Sequence, residues 1–343
     1  MSSSQSSTIS HWDSTTVPPL SPSSPTTSHS ASTSPEAPEL PIAAYGSYAV
    51  RDAVREIKNS PFWIGNSARI ASNFEWITRA TDPSAYLKWK DDAPDRPDDA
   101  ESDDDVYITW IGVVTASGSV LGADGNYNEK WKASGVSKHK RVVWVEQPPP
   151  KRDALKSLWE CQLAGAKNLV ESACRTKTGH VMPYNYSFFV KEEGALRARS
   201  PLFIKSNFRN SDNTEDLDIP EHMTYPYWKI DSPKVKSMFD DILTQGFTPH
   251  ILEAYDENDN LIHPNEVHDK LCGSIVRVEC ILQKQIFTGK DQPGGRAWQI
   301  WANLAKVKIV EPFLGGTSSS QTKKRRLGLD IVPEHSKRSR IGN

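Results

Sequence analysis

The clearest periodicity in this chain lies toward its C-terminal end. From Ser274 alternate residues read Ser274, Val276, Val278, Cys280, Leu282, Lys284 and Ile286, while the other set reads Ile275, Arg277, Glu279, Ile281, Gln283, Gln285 and Phe287. Side chains alternate across a strand, so the first set is the expected core face and the second the half-solvated one. The turn-rich stretch TGKDQPGG comes next, and then RAWQIWANLAKVKIV over residues 296–310, a pattern that predicts a long hairpin. In the returning strand Trp298, Ile300, Ala302 and Leu304 share one parity, whereas Val307 and Ile309 have the other. The switch predicts a bulge near Ala305, and bulges bend strands as small closed barrels require.

Upstream, SYAVRDAVREIKNSPFW puts Val50, Ala53, Val54 and Ile57 on one helical face, with Ser60-Pro61 as the stop. A second helix is expected through NSARIASNFEWITRA. The segments VYITWIGVV (106–114) and VVWVE (142–146) are rich in β-branched and aromatic residues and read as strands, with a bend at Gly112. Asp153 can cap a helix whose Leu155, Leu158, Trp159, Leu169 and Val170 form an apolar stripe. YNYSFFVKEE, SPLFIKS and YPYWKI are strand candidates. DSPKVKSMFDDILTQGF is a helix capped by Ser232, with Pro233 in its first turn and Gly246 at its end. TPHILEAY leads into the terminal hairpin. Several strands, interspersed helices and a long last hairpin suggest a β-barrel with helical insertions.

The stretch AYDENDNLIHPNE (254–266) imitates a calcium loop, with Asp256, Asn258 and Asn260 on alternate positions. Such a loop needs Gly at its sixth position and Glu at its twelfth, where this chain has Leu261 and Val267. It reads instead as a turn between strands. His263, His268, Cys272 and Cys280 are close in sequence, yet their spacing fits no familiar zinc module. Neither a metal nor a cofactor is expected. The 4 cysteines contain no CxxC pair, which suits reduced thiols.

Composition changes the picture at both ends. The first forty residues are mostly Ser, Thr and Pro and cannot bury enough apolar surface to fold, so residues 1–40 read as disordered. No Lys or Arg precedes Arg51, which argues against a secretory or mitochondrial leader, and no run has the length of a membrane span. The net charge of −2 conceals a segregation: DDAPDRPDDAESDDD (91–105) is acidic and KKRRLGLDIVPEHSKRSR (323–340) is basic. The acidic run reads first as a solvated loop or linker and second as a mimic of a nucleic-acid strand. In the tail, Lys323, Lys324, Arg325 and Arg326 are separated from Lys337, Arg338 and Arg340 by a spacing that suits a bipartite nuclear-import signal. A nuclear protein with an import receptor as partner is the expectation.

TPHILEAYDENDNLIHP, GSIVRVECILQKQIF and AWQIWANLAKVKIVEP together resemble the C-terminal half of phage- and virus-type single-stranded-DNA-binding proteins of the OB fold. They are also similar to fungal nuclear reading frames with the same ending. The resemblance runs from Phe247 to roughly Pro312, and Asn260-Leu261 stands where the family turn would carry Gly. It implies an α+β chain: an OB-like antiparallel β-barrel with inserted helices, flanked by disordered termini. The patterning and composition described above divide the chain into a helical N-terminal segment (41–90), the acidic loop or linker (91–105), the barrel domain (106–314) and the basic tail (315–343), with the resemblance confined to the C-terminal half. The function it implies is sequence-tolerant binding of single-stranded nucleic acid, most simply DNA, without catalysis.

Binders of this kind need bases stacked on aromatic faces and a basic groove for the backbone. Trp144, flanked by Val143 and Val145, and Phe287, on the polar face of its strand, are the preferred platforms. Lys138, Lys140, Arg141, Lys205 and Arg277 are the preferred phosphate contacts. Two alternatives stay open. One is a nuclear protein-interaction module with a phosphorylatable N-terminal arm. The other is a metal-dependent nuclease with scattered acids such as Asp240 and Asp241, although no GxSxG, HExxH or GxxxxGK[ST] is present. Oligomeric state has no signature in the sequence.

Overall fold

The structure is a computed structural model. It describes residues 40–78, 84–101, 104–126, 139–149, 152–174, 187–190, 192–205, 219–288 and 296–313. The Ser/Pro-rich arm and the basic tail, with both clusters of the expected import signal, lie outside the described residues.

Helix α1 (Tyr48–Asn59) starts where the Ser47 hydroxyl accepts from the Val50 amide, and it buries Val50, Val54 and Ile57. It ends at Ser60-Pro61, as the stop signal predicts. These side chains pack with Ile111, Leu155 and Ile275. Ile275 was expected on a half-solvated face; α1 covers it. Helix α2 (Ser67–Asn73), capped by Asn66, is half the expected length. The remainder is strand β1 (Phe74–Thr78), antiparallel to β2 (Ala85–Trp89). Phe74, Trp76, Ile77 and Thr78 favour a pleated strand over a helix, and the Phe74 ring packs against Trp89 at 4.6 Å. Among its described residues, the segment expected to be helical therefore holds a 3-10 turn (Ile42–Ala44), two α-helices and a pair of antiparallel strands.

The main sheet contains β3 (Tyr107–Val114), β4 (Lys140–Glu146), β6 (Ala195–Pro201), β10 (Ile275–Thr288) and β11 (Arg296–Glu311). Strand β10 runs antiparallel to β3, β3 to β4 and β4 to β6. Strand β6 meets β11 in parallel at Arg199 and Asn303, and β11 pairs back along β10. The pairings of these strands therefore return to their starting point. Strand β2 extends the sheet from β10, β5 (Phe189–Val190) lies on β6, and β9 (Ala254–Tyr255) lies parallel to β11. Strands β7 (Phe203–Lys205) and β8 (Phe247–Pro249) form a separate pair. The chain is thus α+β, with a large sheet and packed helices.

The terminal hairpin follows its alternation. Val276, Val278, Cys280 and Leu282 are buried, as are Ile300, Ala302, Leu304, Val307 and Ile309. Glu279 pairs with Lys306 and Cys280 with Leu304, so Ala305 is the bulged residue. Helix α3 (Asp153–Cys174) lays Trp159, Leu169 and Val170 on this core. Its buried Gln162 accepts from the Ile111 amide and donates to the Ile111 carbonyl, both at 2.8 Å, so a side-chain amide completes the strand's hydrogen bonding. The approach is close enough that a Cβ at Gly112 would begin 2.7 Å from the Trp159 ring.

Helix α4 (Pro233–Thr244) has the predicted Ser232 cap and a left-handed Gly246 at its end. YPYWKI, expected as a strand, instead makes a short 3-10 turn at Tyr225–Tyr227; Pro226 offers no amide to a ladder. The stretch that imitates a calcium loop is a turn built on Asp256. Its carboxylate accepts from the amides of Asn258 and Asn260, both at 2.9 Å, and Asp259 takes φ +64°. Helix α5 (Val267–Leu271) fills the connector to β10. No group of His, Cys, Asp and Glu suited to a metal ion occurs among the described residues. Among those residues, no helix is long and apolar enough to cross a membrane.

Candidate nucleic-acid interface

The outer face of the sheet is set by strand parity. On β4, Arg141, Val143 and Val145 are buried, while Lys140, Val142, Trp144 and Glu146 are half-buried on the other side. On β6, Leu196, Ala198 and Ser200 point in and Arg197 and Arg199 point out. Register places Trp144 opposite Arg197, and Val142 opposite Arg199. Upstream of the bulge, the outward residues of β11 are Trp301 and Asn303, and Asn303 faces Arg199. Gln283 of β10 lies opposite Trp301, and Tyr86 of β2 lies opposite Gln283. One continuous face therefore crosses β4, β6, β11, β10 and β2.

At its centre the Arg199 guanidinium lies 3.7 Å from the centroid of the Trp301 ring, and the Lys140 ammonium lies 5.3 Å from the same centroid. Arg199 Nε donates to Asn303 Oδ1 at 3.1 Å, Asn303 Nδ2 donates to Gln283 Oε1 at 3.0 Å, and Gln283 Nε2 donates to the Tyr86 hydroxyl at 2.8 Å. Trp301 Nε1 donates to Gln285 Oε1 at 3.2 Å. Nearby, Arg197 approaches the Trp144 ring at 6.0 Å, and Trp144 Nε1 donates to Glu146 at 2.9 Å. One side of that indole is occupied, since a Cβ at Gly118 would begin 2.4 Å from it.

Electrostatics separates this face from the rest of the molecule. Elsewhere Arg69 pairs with Asp95, Lys88 with Asp105, Arg152 with Glu311 and Lys308 with Asp259. Among the described residues neither Lys140 nor Arg199 forms an ion pair; each has another cation as its neighbour instead. Burial first, and the charge of Arg199 second, hold the Lys140 ammonium down to about 8. Burial first, and Arg197 second, hold Arg199 down to about 9, with Tyr86 opposing. Crowded, partly desolvated cations beside an indole form a surface that gains from a bound anion and a stacked ring.

The expected contacts fare unequally. Lys140 and Trp144 lie on this face. Arg141 does not: it is 2% exposed and donates to the carbonyls of Gly122, Ala123 and His250, with Trp228 against its guanidinium at 4.8 Å. Burial pushes it down to about 10, and its donors are spent on backbone, so the expected phosphate contact is a structural arginine. Arg277 sits between Glu56 and Glu279, which neutralise its charge. Lys205 is exposed on the separate β7–β8 pair. Lys138 and the side chain of Phe287 lie outside the described residues. The sequence reading missed Arg197, Arg199 and Trp301. The alternation in ALRARS carried a signal for the arginines, and the opposite parity of Trp301 to Ile300 and Ala302 carried one for the indole.

No family model matches this chain, and no curated protein matches it. Among solved structures, the single-stranded DNA-binding protein from bacteriophage Enc34 is 14% identical over 71% of this chain and 94% of its own, with a TM-score of 0.29. A complex of the Enc34 protein with ssDNA is 15% identical over 60% of this chain and 89% of its own, at a TM-score of 0.27. The single-stranded DNA-binding protein gp2.5 of bacteriophage T7 is 11% identical over 62% of this chain and 96% of its own, at 0.28. These belong to the group that the C-terminal sequence resembles.

Proposed function

We propose that this chain is a non-catalytic binder of single-stranded nucleic acid, DNA in the first instance, and that the strand lies across the face around Trp301. The observation that carries the reading is the cluster of Lys140 and Arg199 on one indole, with neither cation ion-paired among the described residues. Phosphates would supply the missing negative charge, and bases would stack on the indole or on the guanidinium plane lying over it. The returning circuit of pairings supports reading the sheet as an OB-like barrel, in which such a face is a natural strand-binding surface. The basic tail supports a nuclear address read by an import receptor.

A second reading has its own observation. A groove of about 600 Å³ between α2, β1 and α3 is lined by Ile70, Phe74, Trp76, Leu87 and Leu169. It favours a protein-interaction role beside strand binding or in place of it.

Titration of labelled single-stranded and duplex oligonucleotides at two salt concentrations separates the readings. Strand binding predicts a steep salt dependence and a preference for the single strand. Trp301→Ala should weaken it by about 1–3 kcal/mol at every salt concentration, because stacking releases no counterions. A folded parent that binds no strand at low salt would leave the interaction role standing.

A further inference from the structure

The hydrogen bonds around Trp301 have a direction that no amide flip can reverse. An indole N–H and an arginine N–H can only donate. Trp301 Nε1 therefore fixes Gln285 with its oxygen toward the indole, and Arg199 Nε fixes Asn303 with its oxygen toward the guanidinium. The Asn303 amide nitrogen must then donate to Gln283 Oε1, which turns the Gln283 nitrogen toward Ser84 and Tyr86. Each of these carboxamide oxygens already receives a hydrogen bond. The donors are in a different position. Gln285 Nε2, the terminal nitrogens of Arg199 and the Lys140 ammonium have no hydrogen-bond partner among the described residues. The patch offers hydrogen-bond donors gathered about a single indole.

A ligand for such a patch must present acceptors without interposed donors. Phosphate oxygens do so but carry no sequence information. Among base edges, adenine's Hoogsteen edge sets N7 beside the N6 donor, and cytosine's Watson–Crick edge sets its acceptors N3 and O2 beside the N4 donor. Guanine offers N7 and O6 side by side, both acceptors. Thymine places its N3–H between two carbonyls. Resting on the strand-binding reading above, we propose that this face prefers guanine, with Gln285, Arg199 and Lys140 donating to the O6/N7 edge of an unstacked base. The half-buried setting of Lys140 and Arg199 strengthens such bonds relative to water. Gln285 becomes the specificity-determining residue, because its donors lie at the edge of the ring and not over it.

The test uses the full chain and thymine-rich strands carrying isolated guanines, which avoids guanine self-association. Affinity is measured by competition against an all-thymine strand of equal length, at one salt concentration. The guanine strand should bind at least about fivefold more tightly, the low end of what one bidentate base contact provides. Replacing guanine by 7-deazaguanine removes the N7 acceptor and should abolish the gain, whereas inosine, which keeps O6 and N7, should retain it. Gln285→Glu keeps an acceptor for the indole N–H but removes the donors, so whatever its effect on overall affinity it should bring the guanine strand and the all-thymine strand to equal binding. Equal binding of guanine and 7-deazaguanine strands would overturn the proposal and leave strand binding intact. Failure of every strand to bind at low salt would overturn both.

Discussion

Removing the Arg141 side chain separates a structural strut from a phosphate contact. The guanidinium joins three carbonyls from two separate segments, Gly122 and Ala123 on one side and His250 on the other, 109 residues away in sequence from Arg141. A hydrogen bond to a charged group contributes about 1.5–3 kcal/mol. The three share one side chain and do not add in full. Arg141→Ala also opens space against Trp228, whose ring the guanidinium covers. A loss of about 3–5 kcal/mol is expected from the lost charge-assisted bonds, the carbonyls left unpaired and the cavity against Trp228 together. For a folded region of this size that is a fall of roughly 10 °C in melting temperature. Circular dichroism melts measure the loss, and strand titrations well below the transition measure function. Arg141→Ala should melt early yet keep the parental salt slope. A variant that melts like the parent but loses one phosphate's worth of salt dependence would refute the structural role.

The outer face and the basic tail make further outcomes testable. Arg199→Gln should lower the slope of log affinity against log salt by about 0.7, the value for one phosphate on a single strand, in fluorescence titrations over a salt series. Because burial and Arg199 hold Lys140 at about 8 against an ordinary 10.5, its charged form burdens the folded state fully below about pH 8, and stability recovers as pH rises from there toward 10.5. A bound phosphate favours that charged form, so affinity should be level near pH 7, fall as pH rises through about 8 with proton uptake on binding, and lose this dependence in Lys140→Gln. Changing Lys323, Lys324, Arg325 and Arg326 to Ala in a fluorescent fusion should abolish nuclear enrichment, and unchanged enrichment would remove the import role from this cluster.

How far the sequence revealed this depends on whether the signal was local. The bulge at Ala305 was legible because apolar parity changes there and nothing else explains it. Helices α1 and α4 were legible because Ser47 and Ser232 cap clear apolar stripes. Strand β6 was not: Ala195, Arg197, Ala198 and Arg199 have little preference for a pleated strand, and only pairing with β4 and β11 makes them one. The burial of Arg141 did have a local sign, since it shares parity with Val143 and Val145. The basic residues around it, Lys138 and Lys140, point to surface instead, so composition and period conflict at this position. For Arg277 the outward parity was right, but Glu56 comes from a helix 221 residues away and left no mark near the strand.

The bulge also explains why the face ends where it does. Before Ala305 the odd residues Trp301 and Asn303 point outward, toward Arg199 and Gln283. After it the parity reverses, and Lys306 and Lys308 point outward in their place. Those lysines enter different surroundings. Lys306 pairs in register with Glu279 and lies over the Tyr255 ring at 4.6 Å, and Lys308 bonds Asp259 at 2.6 Å. Glu253, raised by burial and opposed by Lys306, adds a further acid to that end. A single strand thus crosses from the neighbourhood of Lys140 and Arg199, neither ion-paired among the described residues, to one of matched charges within a few residues. Net charge along β11 would not reveal this, because lysines are denser in the second zone. What a strand of phosphates can gain depends on the charge left unneutralised, and along β11, among the described residues, that favours the side upstream of the bulge, where Lys140 and Arg199 meet one indole.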